Sequence, residues 1–163
     1  MAKKIIVIGG SAAGPKAAAK ARRMDEIAEI TMFQKGPDLS MASCGYPYFV
    51  GGFFDDRNKL LCTPTGVVRD PKFYWNAKGI AAKVNIEVTK IDRQNKTVEF
   101  IDLLTKKKGT QEYDKLIIAT GATANKPPIP GVELEGITTL QSMQDADYLR
   151  KIRDEGKIKK AVV

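Results

Sequence analysis

The hydrophobic and polar positions at the start of the chain predict a strand, a helix and a second strand in succession. Residues 5–8 form a short apolar run of isoleucine and valine, which is typical of a parallel strand buried on both faces. Residues 16–24 are rich in alanine, lysine and arginine, which favour a helix. Apolar side chains return between residues 27 and 33, so we expect a second strand that ends near Gln34. The pattern therefore predicts a βαβ unit.

Small residues fill the turn between the first strand and the helix; they are Gly9, Gly10, Ser11, Ala12, Ala13 and Gly14. In a dinucleotide-binding βαβ unit such a turn lets a pyrophosphate approach the backbone at the helix N-terminus. Ser11 replaces the middle glycine of that pattern, and Gln34 stands where an acidic ribose-binding residue is usual. We expect the turn to bind a pyrophosphate and Gln34 to face the adenosine ribose, with Lys35 beside it. The alternative is a βα turn without a ligand.

The middle of the chain predicts an antiparallel sheet. Residues 84–91 and 96–103 alternate apolar and polar side chains on either side of a polar turn at residues 93–95, as in a hairpin. A buried strand from residue 113 then returns to the central sheet and ends in the turn at residues 119–121. The predicted fold class is α/β, a doubly wound parallel sheet with a three-stranded antiparallel meander against it.

The C-terminal part predicts a strand, a helix and the start of another strand. Residues 136–140 have the composition of a strand, and Ser142 can cap a helix that runs to about Arg153. Residues 160–163 are apolar and β-branched at their end, and we expect them to begin a further strand.

Cys44 is the candidate nucleophile. It lies among small residues and is followed by Gly45, Tyr46 and Pro47. A thiol attacks as the thiolate, which a nearby cation or helix N-terminus stabilises, and we expect a helix to begin near Cys44. A cysteine in such surroundings is more often a buried, inert thiol when considered alone. We interpret Cys62, next to a turn, as a buried thiol; a disulfide between the two cysteines is the alternative, which a cytosolic setting disfavours.

Three segments together resemble the FAD-dependent pyridine nucleotide–disulfide oxidoreductases. They are the glycine turn, the element around Cys44 and the Ala-Thr-Gly turn at residues 119–121, and the resemblance covers essentially the whole chain. The pattern Ser-x-x-x-Cys-Gly-x-Pro-Tyr, from Ser40 to Tyr48, is similar to the single-cysteine branch of coenzyme A disulfide reductases, persulfide reductases and NADH oxidases. Phe49 occupies the position of the second cysteine in the two-cysteine reductases.

The resemblance implies a Rossmann-like FAD-binding fold and a set of site residues. FAD would be the cofactor and NAD(P)H the co-substrate of the full-length enzyme, and Cys44 would be the redox cysteine. The resemblance places three groups of residues near the ligands: Ala119, Thr120 and Gly121 beside the flavin, Val88 beside the adenine, and Arg23, Ser40, Ser43 and Lys78 around the substrate phosphates and pantetheine. Ser43, also counted with the cofactor contacts, stands where the family often has asparagine. The alternative for the substrate-binding group is exposed, solvated side chains.

The resemblance also implies an activity. The enzyme would use NAD(P)H to reduce a low-molecular-weight disulfide or persulfide, in the manner of coenzyme A disulfide reductases. An NADH oxidase or peroxidase that forms a sulfenate at Cys44 is one alternative. A non-catalytic nucleotide-binding or partner-binding module is the other.

The resemblance predicts how the sequence divides into domains. Residues 1–156 would be the N-terminal portion of the FAD-binding domain, and residues 157–163 would begin an NAD(P)H-binding domain. We therefore expect the 163-residue chain to be part of a longer enzyme, inactive by itself, which forms a homodimer at full length.

The composition indicates which kinds of partner and cofactor to expect. The net charge of +8 comes from lysines and arginines scattered along the chain, without a nucleic-acid-binding motif, so we do not expect nucleic acid as a partner. The chain contains no histidine, which excludes histidine-dependent triads and histidine metal sites, and we expect no metal. No apolar run approaches the length of a membrane span. We expect a cytoplasmic protein.

Overall fold

The computed structural model describes residues 1–156 and 158–162. They form two compact units. The first unit comprises Met1–Met41 and Leu61–Gly121, and the second comprises Ala42–Leu60 and Ala122–Val163. Elements are numbered along the chain: β1 Lys4–Ile8, α1 Ala13–Met24, β2 Glu29–Phe33, α2 Tyr46–Val50, α3 Pro71–Lys78, β3 Ile80–Lys83, β4 Ile86–Asp92, β5 Thr97–Asp102, β6 Lys108–Glu112, β7 Lys115–Ile118 and α4 Met143–Asp154.

A parallel four-stranded sheet in the order β3-β2-β1-β7 forms the centre of the first unit. Ile5 of β1 lies opposite Ile30 of β2 and Lys115 of β7. Successive side chains of β1 point to opposite faces, so Ile5 packs with Ala18 of α1 and Tyr74 of α3, whereas Ile6 packs in a separate cluster against the meander. Burial of β1 on both faces explains its uninterrupted apolar sequence.

The antiparallel meander β4-β5-β6 covers the other face of this sheet. The turn between β4 and β5 is closed by Asp92, whose Oδ1 accepts hydrogen bonds from the backbone N–H groups of Gln94 (3.0 Å) and Asn95 (2.9 Å). The α/β class and the three-stranded meander are both confirmed.

Two helices of the first unit illustrate how local signals set helix limits. α1 begins at Ala13 rather than at residue 16. Pro15 falls in the first turn, where backbone N–H groups have no partner within the helix, so a proline, which lacks this group, is compatible with the earlier start. α3 was not predicted. The Asp70 side chain caps it by accepting from the Phe73 N–H (2.7 Å), Pro71 begins it, and Gly79 ends it with a left-handed φ of 59°.

The second unit contains α2 and α4. A 3₁₀ turn, Ser43–Gly45, leads into α2, so the helix expected near Cys44 does begin there. The predicted cap of α4 is confirmed: the Ser142 hydroxyl accepts from the Asp145 N–H (3.1 Å), and Asp145 accepts from the Ser142 N–H (3.0 Å). No helix within the described residues is long and apolar enough to cross a membrane.

The strand expected at residues 136–140 is wrong. The Ile137 N–H bonds to the Leu134 carbonyl (3.2 Å), and Gly136 has a φ of +91°, so this segment makes a turn instead of joining a sheet. Residues 160–162 are not in a strand either, because a strand requires a hydrogen-bonded neighbour and none pairs with them among the residues described. Lys157 and Val163, which also belong to the predicted second domain, lie outside the described residues.

Candidate functional site

The glycine turn brings the carboxyl ends of β1 and β7 together. Gly9 has a φ of +111°, and a Cβ placed on it would overlap the carbonyl oxygen of Ala119. The Gly9 N–H donates to the Phe33 carbonyl of β2 (2.8 Å), and the Ala119 N–H donates to the Ile8 carbonyl (2.8 Å). A Cβ on Gly14 would in turn overlap the Gly9 carbonyl oxygen, so α1 also packs directly against this turn. Glycine is therefore required at both positions.

The N-terminus of α1 faces outward without a side-chain cap. Ala12 at the N-cap makes no side-chain hydrogen bond, and the first turn contains no acidic residue. Ala12 and Ala13 are exposed and Ser11 is half-buried, so only small side chains stand before the first N–H groups of the helix. These groups and the helix dipole suit an anion. The turn thus fits the pyrophosphate of a dinucleotide such as FAD.

Gln34 lies at the glycine turn, as expected for the residue after β2. Its Oε1 accepts a hydrogen bond from the Gly10 N–H (2.8 Å), and its own carbonyl accepts from the Ile86 N–H at the start of β4 (3.0 Å). Lys35 extends to Glu87 of β4 instead, with a 2.8 Å ion pair at the surface. Val88 is half-buried against the cluster that contains Ile6 and Phe33. The structure thus places Gln34 at the turn and directs Lys35 towards the meander.

The segment after β7 lies beside Gly9. Ala119 is half-buried, whereas Thr120 and Gly121 are exposed. Gly121 has a φ of +72°, and a Cβ added to it would have nothing within 4 Å. Its backbone conformation, not packing, therefore favours glycine there. Of the predicted flavin-side residues, Ala119 and the backbone N of Thr120 lie at the glycine turn, as a Cβ on Gly9 would be within 3.3 Å of both.

Ser40 is fixed beside the glycine turn by three contacts. Its N–H donates to the Gly10 carbonyl (2.8 Å), its hydroxyl hydrogen-bonds to the Tyr74 hydroxyl, and its carbonyl accepts from Arg69 (3.5 Å). Its φ of 53° is unusual for a residue other than glycine. Burial raises the pKa of Tyr74 above its ordinary value, against the opposing effects of Ser40 and Arg69. Tyr74 and Arg69 were missed because each meets Ser40 only in the folded chain.

Arg23 and Lys78 lie at the C-terminal ends of α1 and α3. Arg23 is exposed, and the Lys78 ammonium lies over the Phe73 ring, 5.9 Å from its centroid. The neighbouring Arg22 links the two helix ends, because it donates to the carbonyls of Lys78 (3.2 Å) and Gly79 (2.7 Å). Arg22 is thus bound to the backbone, which leaves Arg23 as the exposed guanidinium of the pair.

Cys44 is an exposed, free thiol in the second unit. The turn that carries it is closed by a hydrogen bond from the Gly45 N–H to the Ala42 carbonyl (2.8 Å), and the Ala42 N–H donates to the Leu60 carbonyl (2.8 Å). Ser43 beside it is also exposed. An exposed thiol at a defined turn can react with a disulfide from solution.

Cys62 has a different environment in the first unit. It is a free, half-buried thiol that pairs with Val68 across a short antiparallel bridge around a turn. The prediction of a thiol beside a turn holds, although its burial is only partial. No cluster of three or more histidine, cysteine, aspartate or glutamate residues that could bind a metal occurs in the described parts of the chain.

Comparison with known proteins gives consistent matches. Residues 3–163 match the family model described as pyridine nucleotide-disulphide oxidoreductase. A coenzyme A disulfide reductase from Staphylococcus haemolyticus is 37% identical over 161 residues, which is 99% of this chain and 34% of that protein.

Two solved structures are also similar. An NAD-dependent persulfide reductase from A. fulgidus superposes with a TM-score of 0.90 and 40% identity, over 94% of this chain and 28% of that one. A water-forming NADH oxidase from Lactobacillus brevis, bound to NADH, superposes with a TM-score of 0.83 and 27% sequence identity. The match covers 96% of this chain and 33% of that one. The chain spans about a third of the length of these relatives.

Proposed function

The chain belongs to the pyridine nucleotide-disulphide oxidoreductase family, and from this premise we propose that it binds FAD and supplies the reactive cysteine for NAD(P)H-dependent reduction of a small disulfide or persulfide. The family binds FAD and uses NAD(P)H. The proposed division into an FAD-binding portion at residues 1–156 and a second domain from residue 157 stays a prediction, as do the homodimer and the cytoplasmic location.

The first unit has a suitable site for the dinucleotide. In our proposal the backbone of residues 9–14 and the start of α1 hold the pyrophosphate, Gln34 and Lys35 lie towards the ribose, and Val88 lies towards the adenine. Residues 119–121 would lie towards the flavin, which when bound supplies the hydride and electron transfer. Gln34 can keep the hydrogen bond from the Gly10 N–H to its Oε1 while its Nε2 donates to a ribose hydroxyl, because a glutamine side chain has both groups.

The observation that carries the catalytic proposal is the exposure of Cys44. The Cys44 thiolate attacks one sulfur of the substrate disulfide, a bond forms between Cys44 and that sulfur, and the other half leaves as a thiolate. Two electrons then restore the Cys44 thiolate and release the second thiol, and NAD(P)H is their source in this family. A persulfide substrate would react in the same way, with hydrosulfide as the leaving group.

A coenzyme A disulfide is the substrate that we favour. The name of the Staphylococcus haemolyticus relative supports this substrate. The cationic and hydroxyl side chains that the family resemblance assigns to the substrate support it as well. Arg23 and Lys78 suit phosphate groups, because guanidinium and ammonium groups donate hydrogen bonds to phosphate oxygens. Ser40 and Ser43 would bind the pantetheine part.

A single-turnover experiment on this chain tests the proposal. Reduced protein is mixed with coenzyme A disulfide, and the mixed disulfide is located by mass spectrometry. We expect the adduct on Cys44, no adduct in Cys44→Ser, and an unchanged adduct in the matched control Cys62→Ser. In a full-length enzyme, Cys44→Ser should abolish disulfide reduction while FAD stays bound. An adduct of equal yield in Cys44→Ser would refute the assignment.

The likeness to the NADH oxidase supports a second candidate, in which Cys44 cycles through a sulfenate. The Cys44 thiolate would attack one oxygen of hydrogen peroxide, the O–O bond would break, and the products would be the Cys44 sulfenate and water. Rates of the two reactions distinguish the candidates: the reductase should react faster with coenzyme A disulfide than with peroxide at equal concentration, and an oxidase or peroxidase should show the reverse order. A sulfenate-specific label at Cys44 reports the second reaction.

A further inference from the structure

The helix that follows Cys44 is too short to be stable by itself. α2 contains five residues, and isolated helices shorter than about 12 residues are marginal in water. Its hold on the protein comes from burial of Tyr46 (2% exposed) and Phe49 (5% exposed) and from contacts at its C-terminal end. Those contacts, together with the hydrogen bond from the Ala42 N–H to the Leu60 carbonyl, therefore fix where the preceding turn, and with it Cys44, lies within the second unit.

Arg150 of α4 makes these contacts. Its Nη1 donates to the carbonyl oxygens of Phe49 (2.9 Å) and Phe54 (3.1 Å), and its Nη2 donates to Asp55 (2.6 Å). Phe49 is in the last turn of α2, and its carbonyl also accepts a hydrogen bond from the Gly52 N–H just beyond the helix (3.1 Å). The guanidinium carbon also lies 5.4 Å from the centroid of the Phe49 ring. One side chain thus joins the end of α2 to the segment that follows it.

The Arg150 guanidinium is itself held in place. Its Nε donates to Asp154 one turn later in α4 (2.6 Å), and its side chain is only 16% exposed. The hydrogen bonds that Arg150 donates to Asp154 and then to Asp55 raise the pKa of Arg150 further above its ordinary value, so its charge is permanent. An orientated, charged fork is the arrangement that can bind two carbonyls and a carboxylate together.

Two further contacts join α4 to residues 42–60. Arg57 donates through Nε to both carboxylate oxygens of Asp147, at 3.0 and 2.9 Å. Gly52 lies so close to Arg153 that a Cβ on this glycine would overlap the guanidinium group. The Arg150 contacts include a carbonyl of α2 itself, that of Phe49.

We propose that Arg150 is a positioning residue for Cys44, through the C-terminal end of α2. Cys44 has an exposed side chain, so the backbone of its turn sets the direction from which the sulfur can attack. That turn is continuous with α2 at Tyr46. The inference rests on the proposed function, because it assigns Arg150 a role in the reaction of Cys44 with a disulfide.

The test measures the rate of mixed-disulfide formation against coenzyme A disulfide concentration in a Cys62→Ser background. Arg150→Gln should lower the limiting rate about tenfold, since small displacements of a reacting group cost one to two orders of magnitude. The half-saturation concentration should change less than about twofold, because Arg150 is not among the residues proposed to bind substrate. Arg150→Lys should recover part of the rate, as an ammonium group cannot replace the guanidinium fork.

The matched control is Lys151→Gln, which removes a positive charge from the adjacent, exposed position of the same helix. This variant should leave both the limiting rate and the half-saturation concentration unchanged. Circular dichroism and thermal unfolding establish that each variant is folded; if Arg150→Gln is not, Asp55→Ala takes its place, since it removes one acceptor of Arg150 and keeps the guanidinium. An unchanged limiting rate in the folded variant, or an equal loss in Lys151→Gln, would overturn the proposal.

A separate measurement distinguishes this inference from the proposed function. If unaltered Cys44 forms no adduct with coenzyme A disulfide, the proposed substrate fails, and Arg150 is judged on a small aromatic disulfide and on hydrogen exchange. We then expect Arg150→Gln to change the Cys44 rate at least threefold relative to Lys151→Gln and to speed amide exchange in residues 46–50. Unchanged exchange and an unchanged rate would show that Arg150 does not position the cysteine.

Discussion

Replacement of Gly9 by alanine tests the proposed pyrophosphate site most directly. Gly9 has a φ of +111°, and a Cβ there would overlap the Ala119 carbonyl oxygen and lie 2.7 Å from the carbonyl carbon. Both neighbours are backbone atoms at the ends of paired strands, so neither can move independently of the sheet. The substitution therefore combines backbone strain with overpacking.

The expected loss of stability follows from these two effects. A strained backbone conformation costs about 1–3 kcal/mol, and overpacking costs about 1–3 kcal/mol more. Gly66→Ala is the matched control, because Gly66 also has a positive φ (+83°) but has nothing within 4 Å of the added Cβ. At about 2–4 °C per kcal/mol for a domain of this size, Gly9→Ala should melt roughly 4–24 °C below the unaltered chain. Gly66→Ala should lose only the strain component.

Thermal unfolding with and without FAD is the assay. FAD at about 100 times its dissociation constant would stabilise the unaltered chain by about 2.7 kcal/mol. This increase in melting temperature should persist in Gly66→Ala and disappear in Gly9→Ala, and the bulkier Gly9→Val should likewise fail to retain the flavin. The reasoning would be refuted if Gly9→Ala had the same melting temperature as Gly66→Ala and kept the full FAD-dependent increase in melting temperature.

Two further substitutions test individual contacts. Asp70→Ala removes the cap of α3 and should cost about 1 kcal/mol, seen as a melting temperature about 2–4 °C lower; an unchanged value would contradict the cap. Hydrogen bonds from the backbone N–H groups of Asn95 and Gln94 hold the pKa of Asp92 below its ordinary value. The Asp92 carboxylate therefore stabilises the fold above about pH 4, and this contribution is lost as the pH falls through the folded-state pKa. Asp92→Asn should flatten the acid side of a urea-unfolding series, and an unchanged pH slope would show that the turn does not depend on this carboxylate.

The βαβ unit and the glycine turn were predictable because the signals for them are local. An apolar run of β-branched residues, a turn of small residues and an alanine-rich stretch each specify backbone structure within a few positions. The glycine turn, the element around Cys44 and the Ala-Thr-Gly turn at residues 119–121 together predicted the family, which the match over residues 3–163 confirms. The capped start of α4 at Ser142 was predictable for the same reason.

Other elements show where local interpretation failed. The limits of α3 had recognisable signals, Asp70 and Pro71 at its start and Gly79 at its end, but the aromatic residues between them were not interpreted as a helix. Residues 136–140 are apolar enough for a strand, yet no neighbouring strand is available to pair with them among the described residues. A strand needs a partner, and composition alone cannot supply one.

Tertiary structure alone decided which residues meet at the two candidate sites. Ala119 lies against Gly9 because β7 pairs with β1, and Gln34 reaches Gly10 because β2 pairs with β1 on the other side. The bond from Arg150 to the Phe49 carbonyl spans 101 positions of sequence. Sequence patterns determine local backbone conformation, since the forces responsible act between near neighbours. Contacts between distant residues depend on strand order and helix packing, which only the complete fold defines.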